Sequence, residues 1–304
     1  MGTSPFACPA LISLLESKDT VVGFFTQPDR PQGRGRKVTV SPVKALALTH
    51  GRPLYQPESI NNDSSIETLR KLSPDLIVVV AFGQILSQRI LELPRWGSIN
   101  VHASLLPHYR GAAPVNWVIL RGEKTTGITT MLMDKGLDTG DILIQKKVDI
   151  LPDENAGELF DRLAQLGAEA LTETIEQWKK GELTPRKQDH TAATFAPPLK
   201  KENGLIDWKR PAETIGNHVR GMNPWPGAYT YLEGKQLKIF QTQAFREASD
   251  QAPGTVLKAT DAGIRVSAGE RSLLLTEVQL EGRKRLSAAQ FLLGHPILPG
   301  IRLG

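Results

Sequence analysis

Short apolar runs alternate with amphipathic stretches through the first 150 residues. The apolar runs are nearly continuous and predict strands buried on both faces, as in a parallel sheet; they lie at 20–26, 75–81, 97–102 and 127–133. The amphipathic stretches predict helices, of which two begin at a Ser-Pro or Ala-Pro pair; they lie at 41–50, 64–72 and 113–122. This alternation indicates an α/β fold class with a doubly wound, Rossmann-like N-terminal domain.

The pattern changes in the second half of the chain. Residues 156–180 have the apolar period of a long amphipathic helix. The segment 181–202 contains three prolines and many charges without periodicity, which predicts a linker. From 203 onward, short runs predict a hairpin around Glu233-Gly234 and a three-strand meander. We therefore expect a domain at 1–180, a linker at 181–202, and at 203–304 an antiparallel β-barrel of the oligonucleotide-binding (OB-fold) type.

Composition narrows the class of protein. The chain has 304 residues, of which 40% are apolar and 23% charged, as in globular proteins. Its one cysteine, Cys8, excludes a disulfide framework within the chain and fits a reducing compartment. The longest apolar run, 76–82, is far too short to cross a bilayer, and the first residues lack a basic leader region. We expect a cytoplasmic protein without membrane attachment, and a monomer because no coiled-coil pattern is visible.

The positive charge is concentrated in patches. The formal net charge is +5, yet residues 29–37 alone carry four Arg or Lys against one Asp. Residues 179–210 carry eight against four, and residues 281–304 carry four against one. Separate basic patches on a near-neutral body favour a polyanionic partner such as nucleic acid, and ordinary solvated surface is the alternative.

The chemistry is concentrated at the end of one predicted strand. Asn100 and His102 are two apart, so both side chains lie on the same side of the sheet. Asp138 lies in a loop bracketed by glycines between two strands, where α/β proteins expose ligand-binding side chains. An amide, an imidazole and a carboxylate together suit acyl transfer to an amine, because they stabilise an oxyanion, move protons and support a charged imidazole.

Three other interpretations of these residues remain open. His102 alone is also typical of a structural histidine near a strand end. A serine hydrolase would use Ser104 with His102 and Asp138, but the G-x-S-x-G elbow is absent. A metal site would need His102, His108, Asp138 and Asp141, whose spacing matches no recurring ligand pattern. We expect no metal.

Four ordered motifs resemble the methionyl-tRNA formyltransferase family: "TQPDRPQGRGRK", "NVHASLLPHYRGAAPVNW", "GLDTGDIL" and "NPWPGAY". The similarity extends from residue 2 to near the C-terminus. It implies transfer of a formyl group from 10-formyltetrahydrofolate to the amino group of methionine on initiator methionyl-tRNA. By position, Asn100, His102 and Asp138 match the catalytic residues of the family.

The resemblance also implies binding residues. Those expected to contact the folate follow the catalytic strand or flank the pterin, and they are Ser104, Leu105, Leu106, Pro107, Phe82 and Gly83. The insertion that contains "GRGRK" reaches the tRNA acceptor stem in the family. The expected tRNA contacts there are Arg34 first, with Arg36 and Lys37 beside it.

The chain departs from the family pattern at its beginning. Family members begin with an apolar strand that leads into the turn written here as "GTSPFA", and Met1 comes just before that turn. We therefore expect the first strand to be missing, through an upstream start codon or a truncated product. Two rival functions are formylation of glycinamide ribonucleotide or amino sugars by a related enzyme, and RNA binding without catalysis.

Overall fold

The computed structural model describes residues 1–32, 37–245, 247 and 249–304. Two compact units account for them. The first comprises 1–114, 125–149 and 160–196, and the second comprises 115–124, 150–159 and 197–304. The boundaries expected from sequence, at 180 and 203, stay a prediction.

Eight α-helices are present in the described residues. The four helices predicted at 41–50, 64–72, 113–122 and 156–180 each begin within one residue of the predicted position. They are α1 (Ala7–Glu16), α2 (Pro42–Thr49), α3 (Asp63–Leu72), α4 (Gln88–Leu91), α5 (Pro114–Leu120), α6 (Ala156–Lys180), α7 (Ala212–Met222) and α8 (Ala288–Gly294).

Local chemistry explains where these helices start. Ser41 caps α2, its side chain accepting a hydrogen bond from the backbone N–H of Lys44 at 3.1 Å, and Pro42 occupies the first helical position. Asn62 caps α3 in the same way, and α3 buries Ile66 and Leu69. Burial of each such side chain stabilises the fold by about 1.5–3 kcal/mol.

Fourteen strands are assigned in the described part of the chain. They are β1 (Phe24–Phe25), β2 (Arg30–Gln32), β3 (Lys37–Thr39), β4 (Leu54–Tyr55), β5 (Ile77–Val79), β6 (Ser98–His102), β7 (Thr125–Leu132), β8 (Asp141–Asp149), β9 (Ala228–Leu232), β10 (Lys235–Phe245), β11 (Val256–Thr260), β12 (Gly263–Ser267), β13 (Ser272–Leu280) and β14 (Leu286–Ser287).

The sheet that carries the candidate site has the order β5-β6-β7-β8. β5 and β6 are parallel, with Val79 opposite Asn100, whereas β7 runs antiparallel to both of its neighbours. The prediction of a parallel arrangement is therefore right for β5 and β6 and wrong for β7. The loop 133–140 joins β7 directly to β8, and so short a connection permits only antiparallel pairing of these two strands, whereas the longer connection through α5 leaves β7 free to run in either direction beside β6.

The first residues lie between two parallel strand segments. Gly2 N–H donates to the Phe25 carbonyl at 2.9 Å, and Val80 N–H donates to the Met1 carbonyl at 2.9 Å. Met1 and Phe25 belong to an apolar cluster with residues of α3, β5 and the segment that follows β5. The carboxyl ends of β1 and β5 are thereby held on either side of Thr3.

The second unit is built on antiparallel strands in the order β11-β12-β13-β10-β9, with β14 paired to β13. Glu233 and Gly234, both at positive φ, form the tight turn between β9 and β10, which confirms the predicted hairpin. The predicted meander is also confirmed, as β11 to β13. The path is open between β9 and β11, and the segment 300–304 hydrogen-bonds to both edges, through Val256 and Tyr231 among others.

The predicted fold class is therefore confirmed: a Rossmann-like α/β domain is followed by an antiparallel β domain. Among the described residues, no helix is both long enough and apolar enough to span a bilayer.

Candidate active site

The end of β6 presents the two side chains that the strand period predicts on one face. Asn100 lies opposite Val79 of β5 and Met131 of β7, and His102 lies opposite Thr129. Asn100 is half-buried, and its amide makes no hydrogen bond to any other described residue. His102 is 6% exposed. Asn100 thus has donors free for a ligand, whereas His102 is held by the protein.

Two groups orient the His102 ring. Its Nε2 lies 2.9 Å from the carbonyl oxygen of Tyr109 and therefore donates to it, since a carbonyl only accepts. Its Nδ1 lies 3.6 Å from Oδ2 of Asp138. The tautomer is consequently set by Tyr109, and Nδ1 is the nitrogen that is free to gain or lose a proton beside the carboxylate.

Asp138 adopts a left-handed backbone conformation, with φ of 53°. Such a conformation costs a non-glycine residue about 1–2 kcal/mol and persists only where the surroundings hold it. One holding contact is the Gly111 N–H, which donates to Asp138 Oδ2 at 2.8 Å. Gly140 closes the same loop, and a Cβ there would lie 1.9 Å from the Leu132 carbonyl oxygen. The glycine bracket seen in the sequence therefore permits the close return of the loop to β7.

Hydrogen bonds from side chains of β7 and β8 fix the backbone of the segment Ser104–Pro107. The buried Thr129 hydroxyl donates to the Ser104 carbonyl at 2.7 Å and accepts from Leu106 N–H at 3.0 Å. The Gln145 amide donates to the Leu106 carbonyl at 2.9 Å. These bonds shape the segment that the family resemblance assigns to the folate.

The geometry bears on two alternatives that the sequence leaves open, a serine nucleophile and a metal site. The Ser104 hydroxyl is fully buried and donates to the carbonyl of His108 at 2.5 Å, not to His102, which argues against a serine nucleophile. Within the described residues, no group of three His, Cys, Asp or Glu side chains is placed to hold a metal ion.

A cavity of about 750 Å³ opens at the carboxyl ends of β1 and β5. Phe82 and Gly83, two of the predicted folate residues, line it. Phe82 itself is buried, and its carbonyl accepts from the Thr3 hydroxyl at 2.9 Å and from the Gln27 amide at 3.3 Å. Ile85, also in the lining, is 70% exposed and gives the cavity an apolar side.

The predicted tRNA contacts are only partly covered by the structure. Arg34 and Arg36 lie outside the described residues. The backbone of Lys37 begins β3 and pairs with Gln32 of β2. A basic residue at the mouth of the cavity, Arg30, is described, and its guanidinium lies 3.9 Å from the exposed Glu58 carboxylate.

Comparison with known proteins shows that the similarity indicated by the motifs covers the whole chain. The family model described as "Formyl transferase" matches residues 2–175, and the model "Formyl transferase, C-terminal domain" matches residues 198–296. The methionyl-tRNA formyltransferase of Geobacter sulfurreducens is 53% identical over 304 residues, which cover 100% of this chain and 95% of the relative. That of Geobacter metallireducens is 54% identical and is covered to 97%. The chain belongs to the methionyl-tRNA formyltransferase family.

Solved structures place the fold of this family member among N-formyltransferases. One is the N-formyltransferase of Helicobacter canadensis in complex with folinic acid and dTDP-3-aminofucose. It matches with a TM-score of 0.66 at 18% identity, over 90% of this chain and 96% of that chain. At this identity the match shows a shared fold.

Three groups that contact members of the trio formed by Asn100, His102 and Asp138 were not predicted from the sequence of this formyltransferase family member. They are the carbonyl of Tyr109, the N–H of Gly111 and the side chain of Gln188. Two of them act through backbone atoms, which carry no residue-type signal. Thr3 and Gln27 were missed as well, although Gln27 comes soon after the apolar strand β1, which ends at the same sheet edge. A search for polar residues at every strand end would have found Gln27.

Proposed function

We propose that this protein transfers the formyl group of 10-formyltetrahydrofolate to the amino group of methionine on initiator methionyl-tRNA, in the cytoplasm. The observation that carries the proposal is the identity of 53–54% to methionyl-tRNA formyltransferases over the whole chain. Identity on that scale extends through both domains, whereas the match to the N-formyltransferase in complex with dTDP-3-aminofucose is limited to 18%.

The residues at the carboxyl edge of the sheet fit a folate. The cavity beside β5 has polar lining at Thr3 and Gln27 and an exposed apolar side chain at Ile85, which suits a flat ring with polar edges. Ser104–Pro107 and Phe82-Gly83 would hold the folate, as the family resemblance implies. When bound, 10-formyltetrahydrofolate supplies the formyl group and the nitrogen that leaves. No metal is part of this proposal.

Each member of the trio has a role that follows from its contacts. The Asn100 amide has free donors and stabilises the oxygen that gains negative charge when the methionyl amine attacks. His102 holds or gives up a proton at Nδ1, because its Nε2 is engaged by the Tyr109 carbonyl. Asp138 stabilises the positive charge on that ring. None of these roles requires a nucleophilic side chain.

The basic segments supply the tRNA contacts in this proposal. Arg34, Arg36 and Lys37 belong to the first basic patch, whose positive charge favours contact with phosphates. The domain expected at 203–304 contributes a second surface, since residues 281–304 are again basic. We take the acting species to be a monomer.

The decisive experiment measures transfer of a labelled formyl group from 10-formyltetrahydrofolate to charged initiator tRNA. Parallel reactions contain elongator methionyl-tRNA, a dTDP-linked amino sugar or the Asp138→Asn enzyme. Formylation of the initiator alone, lost in Asp138→Asn, is the expected result. Formylation of the sugar and not of the tRNA would replace the proposal by the sugar alternative, and tRNA binding without transfer would favour the silent RNA-binding protein.

A further inference from the structure

The segment that follows α6 is bonded to the loops of the candidate site. Arg186 exchanges two backbone hydrogen bonds with Ile142 at the start of β8, at 2.8 and 2.9 Å. Farther along, Thr194 accepts from the N–H groups of Tyr109 and Arg110, through its hydroxyl and its carbonyl respectively, each at 2.9 Å. The segment between these anchors crosses beside the Asp138 loop.

Gln188 is the side chain of this segment that reaches the Asp138 loop. It is 6% exposed. Its Nε2 donates to the carbonyl oxygen of Asp138 at 2.9 Å and to that of Gly140 at 2.7 Å. One amide group therefore joins the two ends of the turn that contains the left-handed Asp138 residue.

Arg110 fixes which way this amide points. Arg110 is 4% exposed, and its guanidinium donates to Gln188 Oε1 through Nε at 3.2 Å and through an Nη at 2.6 Å. Because Arg has donors only, the oxygen of the amide must face it, and the NH₂ must face the two carbonyls. Both donors and both lone pairs of Gln188 are then used, so a flipped amide would lose all four bonds.

The same guanidinium has an unusual environment for a buried cation. Its other hydrogen-bond partner is Nδ1 of His190 at 3.1 Å. No carboxylate of the described chain lies within ion-pair distance of it. Buried arginines are normally paired with an acid. A neutral glutamine in that place accepts from Arg110 as an acid would, and it also supplies the N–H donors that the Asp138 and Gly140 carbonyls need.

We propose that Gln188, oriented by Arg110, is a positioning residue that holds the Asp138 carboxylate beside His102 during formyl transfer. The inference rests on the proposed function for its catalytic readout. The hydrogen bonds of Gln188 go to Arg110 and to the Asp138 turn, and not to the imidazole of His102. It acts only through the backbone of the Asp138 turn.

Gln188→Glu separates positioning from packing. The carboxylate retains the size of the side chain and still accepts from Arg110, but it presents oxygen to the Asp138 and Gly140 carbonyls in place of N–H. We expect kcat to fall roughly 10- to 100-fold, while KM for both substrates changes less than about threefold, because misplacement of a catalytic group by about 1 Å can cost on the order of 100-fold. Gln177→Glu is the control, since the Gln177 amide on α6 donates to the side chain of Glu173.

A second readout does not depend on formyl transfer. The Gly111 N–H donates to Asp138 Oδ2, so its hydrogen exchange reports whether the carboxylate stays in place. We expect Gly111 exchange to accelerate at least tenfold in Gln188→Glu and to stay unchanged in Gln177→Glu. Gln188→Leu, which can neither donate nor accept, should accelerate it as well if the Glu variant does not fold.

The outcomes are distinct. A wild-type enzyme without formyl transfer would overturn the proposed function, and the exchange of Gly111 would still test the positioning of Asp138. An active wild type with a Gln188→Glu kcat within threefold, or with unaltered Gly111 exchange, would overturn the positioning role. In the Asp138→Asn background, Gln188→Glu should cost no further activity, and additive losses would contradict an action through Asp138.

Discussion

His102 and Asp138 face each other through Nδ1 and Oδ2 at 3.6 Å, while the opposite nitrogen of the ring donates to the carbonyl of Tyr109. A backbone carbonyl therefore fixes the ring through Nε2. Proton transfer by His102 then takes place at Nδ1, on the side of the carboxylate. The carboxylate in turn is held by the Gly111 N–H. Both partners of the pair thus depend on the loop 109–111 for their positions.

Replacement of Asp138 by Asn tests the carboxylate. The Asn side-chain oxygen can still accept from the Gly111 N–H, so we expect the fold and the melting temperature to be retained. The negative charge beside His102 is lost, and kcat should fall about 10²- to 10⁴-fold, the usual worth of a general acid–base group. Steady-state kinetics and a thermal melt measure both effects.

Asp63→Asn is the matched control for that variant. Asp63 lies in the first turn of α3 and pairs with Arg89 at 2.9 Å on an exposed surface. It should leave kcat within about twofold. Turnover of Asp138→Asn close to the wild-type value would remove Asp138 from the mechanism.

Thr129→Val tests the support of the folate segment. The change removes a buried hydroxyl that joins Ser104 and Leu106, and it leaves the Leu106 N–H without its partner. We expect a loss of about 1–3 kcal/mol in the free energy of unfolding, the cost of an unpaired buried group. Because the segment is displaced, KM for 10-formyltetrahydrofolate should rise several-fold with a smaller change in kcat.

Thr130→Val provides the comparison. Thr130 is equally buried, but its hydroxyl bonds to Thr174 of α6 at 2.7 Å, away from the folate segment. A similar loss of stability without a change in folate KM is expected. If both valine variants raise the folate KM equally, the effect is one of global stability and not of the Thr129 contacts.

The sequence carried enough information to predict where Asn100, His102 and Asp138 lie, although their catalytic role stays a prediction. The two-residue period of β6 identifies Asn100 and His102 together, and the glycine bracket identifies Asp138. Each of these signals is local, because it depends on residue types within a few positions. The site residues that are recognised locally are therefore those that present side chains from a regular strand or a tight turn.

Contacts across long sequence separations were not predictable in this way. Gln188 and Arg110 are 78 positions apart, and Gln188 lies in a stretch whose prolines and charges show no period. The direction of β7 could not be predicted for a related reason, because its apolar run is buried whether the strand is parallel or antiparallel to its neighbours. Strand direction and loop-to-loop hydrogen bonds depend on tertiary packing, which periodicity does not encode.

His218 makes the stability of the second unit depend on pH. Burial lowers its pKa, and a hydrogen bond to the Gly204 carbonyl at 3.3 Å opposes that shift only in part. The unfolded chain, with a histidine pKa of about 6.5, then binds a proton that the folded chain does not. Stability should therefore be complete above pH 7 and fall as the pH decreases through about 6.5.

Urea unfolding at pH 7.5 and 5.5 measures this dependence. His218→Gln should weaken the loss of stability between the two pH values, because the titrating group is gone. His50→Gln, at an exposed position at the end of α2, should leave the loss as in the wild type. An identical loss in wild type and His218→Gln would show that other groups cause it.

Arg34→Ala tests the basic segment 29–37 as a tRNA contact. If Arg34 neutralises one phosphate, its removal lowers tRNA affinity and reduces the slope of log affinity against log salt by about one. KM for 10-formyltetrahydrofolate should stay unchanged, since the folate is expected at the sheet edge. Lys71→Ala is the control, because Lys71 is an exposed cation on α3 that lies 4.0 Å from Glu67. If the slope of log affinity against log salt in Arg34→Ala equals that of Lys71→Ala and of the wild type, Arg34 does not bind a phosphate. The tRNA surface would then have to lie in the basic segments at 179–210 and 281–304.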